Sequence, residues 1–237
     1  MQIRGLQMAE RNSQDGVSML QTAEGGIKST LSMLQRIRSL TLQADSTRTL
    51  GDKKIIQNEI NQMVNGVNDT ANNTQFNGIK LLNYSGVTNN KSPEKSLEMT
   101  VGANVGENVK IPVFNLSKDN LGVTDSNGNI IAGQAISNID VTAPNGIDNS
   151  LKIIDGAIKT AISVDSRYGA LENRFQSTYE KIGAIHDSIQ SAQSELKDSD
   201  IAQEMLKYAR NNTLLQAGNS MMAQSNKFPQ DILRVLE

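Results

Sequence analysis

Apolar residues recur at alternating steps of three and four along both ends of this chain. The stretches that carry them, residues 1–48 and 151–225, contain no proline, cysteine or tryptophan. In the first, the stripe is Val17, Leu20, Glu24, Ile27, Thr30, Leu34, Ile37, Thr41 and Ala44. In the second it is Ile154, Ile158, Ala161, Asp165, Tyr168, Phe175, Tyr179, Ile182, Ile189 and Leu196, continued by Ile201, Met205, Tyr208, Asn212 and Leu215. A helix with so thin an apolar stripe cannot bury it alone. The two stretches are therefore expected to pair, bringing the chain ends together and leaving the middle to project from the bundle. Chains on that plan build assemblies more often than they catalyse.

Composition narrows the core and the partners. Aromatics make up 3% of 237 residues and tryptophan is absent, so Leu, Ile, Val, Met and Ala must supply the packing. Net charge is -2 with no basic cluster, which lacks the electrostatic footprint of nucleic-acid binding. The absence of cysteine removes disulfides, thiolate nucleophiles and sulfur-ligated metals together. No apolar run approaches the roughly 20 residues of a membrane-spanning helix, and the opening MQIRGLQMAERNSQDG has no signal-peptide core.

Between the ends the pattern changes. Residues 3–45 predict a helical rod on the order of 60 Å long, with Asp15-Gly16 as a kink or slight unwinding. The stretch 45–51 reads as a loop. A second helix follows, with Asp52 as N-cap, Ile56, Ile60, Met63 and Val67 on one face, and Asn72-Asn73 at its end. Asn77-Gly78 between apolar neighbours signals a tight hairpin. Alternation in Leu97, Met99 and Val101, and again in Val109, Ile111 and Val113, predicts short strands, and Asp125–Gly128 a turn into Ile130-Ile131. Three of the four prolines fall in this Gly-, Asn- and Ser-rich middle, which reads as a small β-containing insertion. Phe228-Pro229 is expected to break the last helix before a short amphipathic end at Ile232, Leu233, Val235 and Leu236. The fold class is mainly α: a long antiparallel helical bundle or coiled coil with a β-hairpin and that insertion.

Catalytic chemistry is scarce. His186 is the single histidine and lies near the seam, where a packed or boundary role outweighs a pH switch, and no histidine pair can hold a metal. Asp125–Gly128 faintly resembles the start of a calcium loop but lacks the later bidentate Glu, so a turn is the better reading. No phosphate-binding glycine motif occurs, nothing calls for a cofactor, and an enzyme is not expected. Two surface readings are open. Arg36 and Leu40 sit one turn apart, about 90–130° from the seam, and form either a recognition spot or a packing contact with the second helix. Residues 205–222 are rich in Met and Leu, which suits helical core or a groove-binding segment.

The segments RGLQMAERNSQDGVSMLQTAEGG, LQRIRSL, TQFNGIKLLN and NNTLLQAGNSMMAQSNKFPQDILRVL, in this order and at these ends, strongly resemble bacterial flagellin. The likeness covers roughly residues 1–85 and 150–237 and is closest to a short, Gram-positive type of filament subunit. It implies that 1–85 and 150–197 are the two halves of a rod-like helical domain. Residues 86–149 would be a reduced variable outer region, and 198–237 a C-terminal inner-core and chaperone-binding segment. Against that pattern the chain lacks the N-terminal inner-core segment, so it is expected to polymerise poorly and to leave its C-terminal helix without an intramolecular partner.

The resemblance also implies roles: a structural part in motility, secretion through the flagellar type III channel, and a place in the extracellular filament after passage through the cytoplasm. Expected partners are other flagellin subunits in an open helical filament, a flagellar secretion chaperone, and the vertebrate flagellin-sensing Toll-like receptor; nucleic acid and membrane are not expected. The chaperone-binding positions would be Leu214, Leu215, Met221, Met222, Ile232, Leu233 and Leu236. The receptor-binding positions would be Arg36, Leu40 and Glu59, with Ser39 standing where many receptor-activating relatives carry Glu. This moves the reading of Leu40 from packing towards surface recognition. A hook–filament junction protein is the nearest alternative, and a chain acting chiefly as a chaperone-bound export client is another.

Overall fold

Among the described residues three α-helices carry the chain: α1 (Gln2–Ser46), α2 (Leu50–Asn73) and α3 (Gly146–Leu236). The computed structural model describes residues 2–46, 49–104 and 106–236, with backbone alone at 198–200 and 228–236. Residues Met1–Gly183 form one compact unit and Ala184–Glu237 a second.

Within the first unit α1 has two helical neighbours. Its pairing with α2 is antiparallel: Arg36 meets Glu59, Met33 reaches Gly66, and Gly26 lies beside Thr74. Its pairing with α3 is antiparallel too. Arg38 donates to Asp155 at 2.9 Å, Gln21 to Glu172 at 2.8 Å, and Gly16 faces Phe175. The seam residues Leu20, Ile27, Thr30, Leu34, Ile37, Thr41 and Ala44 are buried, as are Ile154, Ala161, Tyr168, Phe175 and Ile182 of α3. Burial raises the Tyr168 phenol well above its ordinary range.

No interruption appears at Asp15-Gly16, where α1 runs on as helix. Glycine serves close approach here. A Cβ on Gly16 would stand 2.8 Å from the Phe175 ring and 2.9 Å from Met99 Sδ, so three elements meet on its bare face. The cap of α2 also differs from expectation. Thr49, not Asp52, is the N-cap, accepting from the Asp52 N–H, while its hydroxyl bonds to the Asp52 carboxylate. Both residue types suit an N-cap, and Thr-x-x-Asp sets the helix start three residues earlier than Asp52 alone would.

The hairpin forms where Asn-Gly places it. Strands β1 (Gln75–Phe76) and β2 (Ile79–Lys80) pair antiparallel around Asn77 and Gly78, both at positive φ (48° and 78°). Two further antiparallel pairs follow, β3 (Ser96–Thr100) with β4 (Asn108–Pro112) and β5 (Gly122–Thr124) with β6 (Ile130–Ala135). The Asp125 carboxylate holds the turn between β5 and β6 by accepting from the N–H groups of Asn127 and Asn129.

The middle does not project free of the helices. Val101, Val109, Ile111, Phe114, Leu116, Leu121, Ile136, Ile139 and Val141 belong to the same buried cluster as the helical seams. Phe114 meets Tyr168 edge to face at 5.2 Å, and Gln57 of α2 bonds the backbone of both Ile139 and Val141. Asn90 and Asn115, both buried, stitch the segment together. The Asn90 amide donates to the Asn115 carbonyl and accepts from its N–H, and Asn115 donates to Val87. An insertion whose strands carry an apolar face must bury that face, and the nearest partner is the bundle.

Helix α3 passes through Pro229 to Leu236, so the break expected at Phe228-Pro229 is absent. A proline removes one ladder donor and bends a helix without obliging it to end.

Candidate functional site

Burial divides the candidate residues. Arg36 and Glu59, brought together by the antiparallel packing of α1 on α2, form an ion pair at 2.7 Å with side chains 57% and 42% exposed. Ser39, on the exposed side of α1, bonds back to the Gln35 carbonyl. Leu40 is different: it is 1% exposed and belongs to the buried cluster with Ile37, Ile56 and Ile60. The surface placement of Leu40 is therefore corrected. A wheel with a single seam leaves Leu40 outside, but α2 returns along that flank and widens the buried arc of α1. Arg36, Leu40 and Glu59 lie on one side of the bundle, two as surface and one as core.

The α1–α3 seam holds a charge cluster that sequence reading placed on the stripe without giving it a role. Glu24 is a seam residue of α1, bonded to Lys28 at 3.3 Å. Burial raises its pKa above the ordinary 4.5; Lys28 opposes this through its hydrogen bond and charge, while the carboxylates of Glu172 and Asp165 reinforce it. Asp165 also sits on the seam, and its Oδ1 is buried without a hydrogen-bond partner among the described residues. Charged residues in an otherwise apolar stripe were the available signal. Among the described residues no three His, Asp or Glu side chains are placed to hold a metal ion.

In the second unit, side chains 201–227 are all exposed. Ile201, Met205, Tyr208, Leu215 and Met222 recur at helical spacing along one stripe, each more than half exposed, with Leu206, Leu214 and Met221 beside it. Leu214, Leu215, Met221 and Met222 are 60%, 65%, 72% and 64% exposed, whereas the side chains of Ile232, Leu233 and Leu236 lie outside the described residues. His186 is half-buried, with Nδ1 3.7 Å from Asp187 and Nε2 buried without a hydrogen-bond partner among the described residues. No helix among the described residues is long and apolar enough to cross a membrane. What this geometry offers is surface: a bridged ion pair on the first unit and a long, exposed apolar stripe on the second.

Residues 1–86 match the bacterial flagellin N-terminal helical region and residues 151–236 the bacterial flagellin C-terminal helical region. The chain is 37% identical to the flagellin of Bacillus subtilis, over 99% of this chain and 82% of that protein. It is 31% identical to the flagellar filament 30.7 kDa core protein of Treponema maltophilum, over 100% of this chain and 81% of that one. In structure it resembles Bacillus cereus flagellin, with TM-score 0.57 and 21% identity over 73% of this chain and 88% of that one. A putative flagellar hook-associated protein from Vibrio parahaemolyticus shares the fold at TM-score 0.63 and 15% identity, covering 80% and 92% of the two chains. With both terminal regions matched and relatives this similar along nearly the whole chain, this protein belongs to the bacterial flagellin family.

Proposed function

We propose that this chain is a structural subunit of the bacterial flagellar filament and that it serves motility by polymerising with other flagellin subunits outside the cell. The observation that carries the reading is the apolar stripe of residues 201–222, exposed along its whole length on a chain matched to flagellin at both ends. Burying a Leu or Met side chain contributes roughly 1.5–3 kcal/mol. Such a stripe supports repeated contacts between copies, and heterologous contacts of that kind extend into a filament. The junction-protein alternative rests on fold alone, at 15% identity, against 37% to a flagellin.

Before assembly the same stripe needs a cover. A flagellar secretion chaperone with an apolar groove would take Leu214, Leu215, Met221 and Met222, with Ile232, Leu233 and Leu236 extending the stripe in sequence, and hand the chain to the type III channel. For recognition by the flagellin-sensing Toll-like receptor, Arg36 and Glu59 supply the exposed contact. Leu40 supports them from beneath.

Two experiments test these readings separately. Labelled chain added to short flagellin filament seeds is expected to bind their growing ends, even where elongation beyond them is poor, and no binding to seeds that accept their own flagellin would overturn the filament role. Calorimetric titration with the chaperone is expected to show tight binding that disappears in a version ending at residue 197. Equal affinity for both versions would remove the tail from the chaperone site.

A further inference from the structure

The sequence holds four Asn-Gly pairs, at Asn65-Gly66, Asn77-Gly78, Asn127-Gly128 and Asn145-Gly146. All four have the side chain and the unhindered following residue that intramolecular deamidation needs. Structure separates them. Gly66 lies inside α2, where its N–H is engaged in the helical ladder. The Gly128 N–H donates to the Asp125 carbonyl at 3.1 Å, and Asn89 and Lys91 crowd its α-carbon. The Gly146 N–H donates to the Ala143 carbonyl at 2.9 Å, with the Asp140 carbonyl packed against the glycine.

Gly78 alone of the four combines exposure, open space around its α-carbon and an N–H with no partner among the described residues. The ladder holding it is also short, with two residues in each strand and one further bond from the Leu81 N–H to the Thr74 carbonyl. Opening the turn therefore disrupts little. We infer that Asn77 is the preferential site of spontaneous deamidation in this protein, at the tip of the β1–β2 hairpin.

The chemistry needs only water and base. Base removes the Gly78 N–H proton and the nitrogen attacks Asn77 Cγ. The new N–Cγ bond closes a five-membered succinimide as the Cγ–Nδ2 bond breaks, and the side-chain nitrogen leaves as ammonia. Water then opens the ring at either carbonyl. One route leaves an ordinary aspartate in place of Asn77; the other gives isoaspartate, which routes the main chain through Cβ and Cγ. The aspartate product adds a negative charge at the tip. The isoaspartate product adds a backbone atom to a two-residue turn whose register Gln75↔Lys80 and Phe76↔Ile79 depends on turn length. The hairpin thus ages in one direction, from intact to mis-registered.

The test is incubation of the whole folded chain in mildly alkaline buffer, followed by proteolysis and fragment-ion mass spectrometry with isoaspartate labelling. Fragment ions are required because Asn65 and Asn77 share one tryptic peptide and Asn127 and Asn145 another. Asn77 is expected to convert several-fold faster than the other three in the folded chain, with the four rates converging in denaturant. Equal rates in the folded chain, or faster conversion at Asn127 or Asn145, would overturn the inference. A second variant guards the structural consequence. Asn77→Gly tolerates positive φ and cannot deamidate, so on ageing it should keep its unfolding midpoint while the unaltered chain loses some of its own; parallel loss in both would refute the mis-registered hairpin.

Discussion

Two stretches of α3 share an apolar three-four spacing and have opposite surroundings. Between Ile153 and Ile182 the helix buries Ile153, Ile154, Ala157, Ala161, Val164, Tyr168, Phe175 and Ile182. Between Ile201 and Lys227 it carries Ile, Met, Leu and Tyr at the same spacing and buries none of them. Helix propensity cannot explain the contrast, since both stretches are proline-free and periodic. What differs is the partner. The first stretch has α1 and the strands of the middle packed against it; the second has no packing partner among the described residues. Periodicity marks a face that wants burial and leaves open what will bury it.

Truncation is the largest way to sharpen that contrast. Phe175→Ala should lower stability by about 3–5 kcal/mol in denaturant unfolding, because its ring is fully buried against Gly16. Leu215→Ala should stay within about 0.5 kcal/mol, as exposed substitutions do. A tail substitution as costly as the core one would mean the stripe is already covered in the free chain. The next effect separates neighbours on α1. Leu40→Ala should cost about 2–5 kcal/mol, whereas Arg36→Ala removes only an exposed ion pair and should cost less than about 1 kcal/mol. Equal small costs would return Leu40 to the surface.

Smaller effects probe polar groups on the seam. The Thr30 hydroxyl is buried without a hydrogen-bond partner among the described residues, so Thr30→Val should raise stability by about 1 kcal/mol. A loss would mean that a bridging water occupies the site. For Glu24 the sign follows from its raised pKa. The folded state holds the proton more tightly than the unfolded one, so the carboxyl's contribution is fully present below the ordinary 4.5 and is lost as pH rises through the folded value. The stability of the native chain relative to Glu24→Gln should therefore increase as pH falls through that window. A flat or reversed difference would show that Lys28 dominates the site.

The parts of this fold written in the sequence are those set by local rules. The three-four seam of α1 and α3, the Asn77-Gly78 hairpin and the alternating strands β3 and β4 each follow from a period or a turn residue. The parts that escaped depend on a second neighbour. Leu40 is core because α2 returns along its flank, and the middle packs inward because its apolar strand faces have the bundle beside them. Asn90 and Asn115 look like loop residues until their reciprocal bonds are seen. At Thr49 and Asp52, two residues suited the same cap, and only geometry chose between them.

Hydrogen exchange on the whole chain, alone and with a flagellar secretion chaperone, tests the central contrast most directly. Amides between 153 and 182 should exchange slowly in both conditions, while those between 201 and 227 should exchange quickly alone and slow markedly once the chaperone is added. Protection of 201–227 in the free chain equal to that of 153–182 would contradict the account. So would rapid exchange that neither the chaperone nor filament seeds can slow.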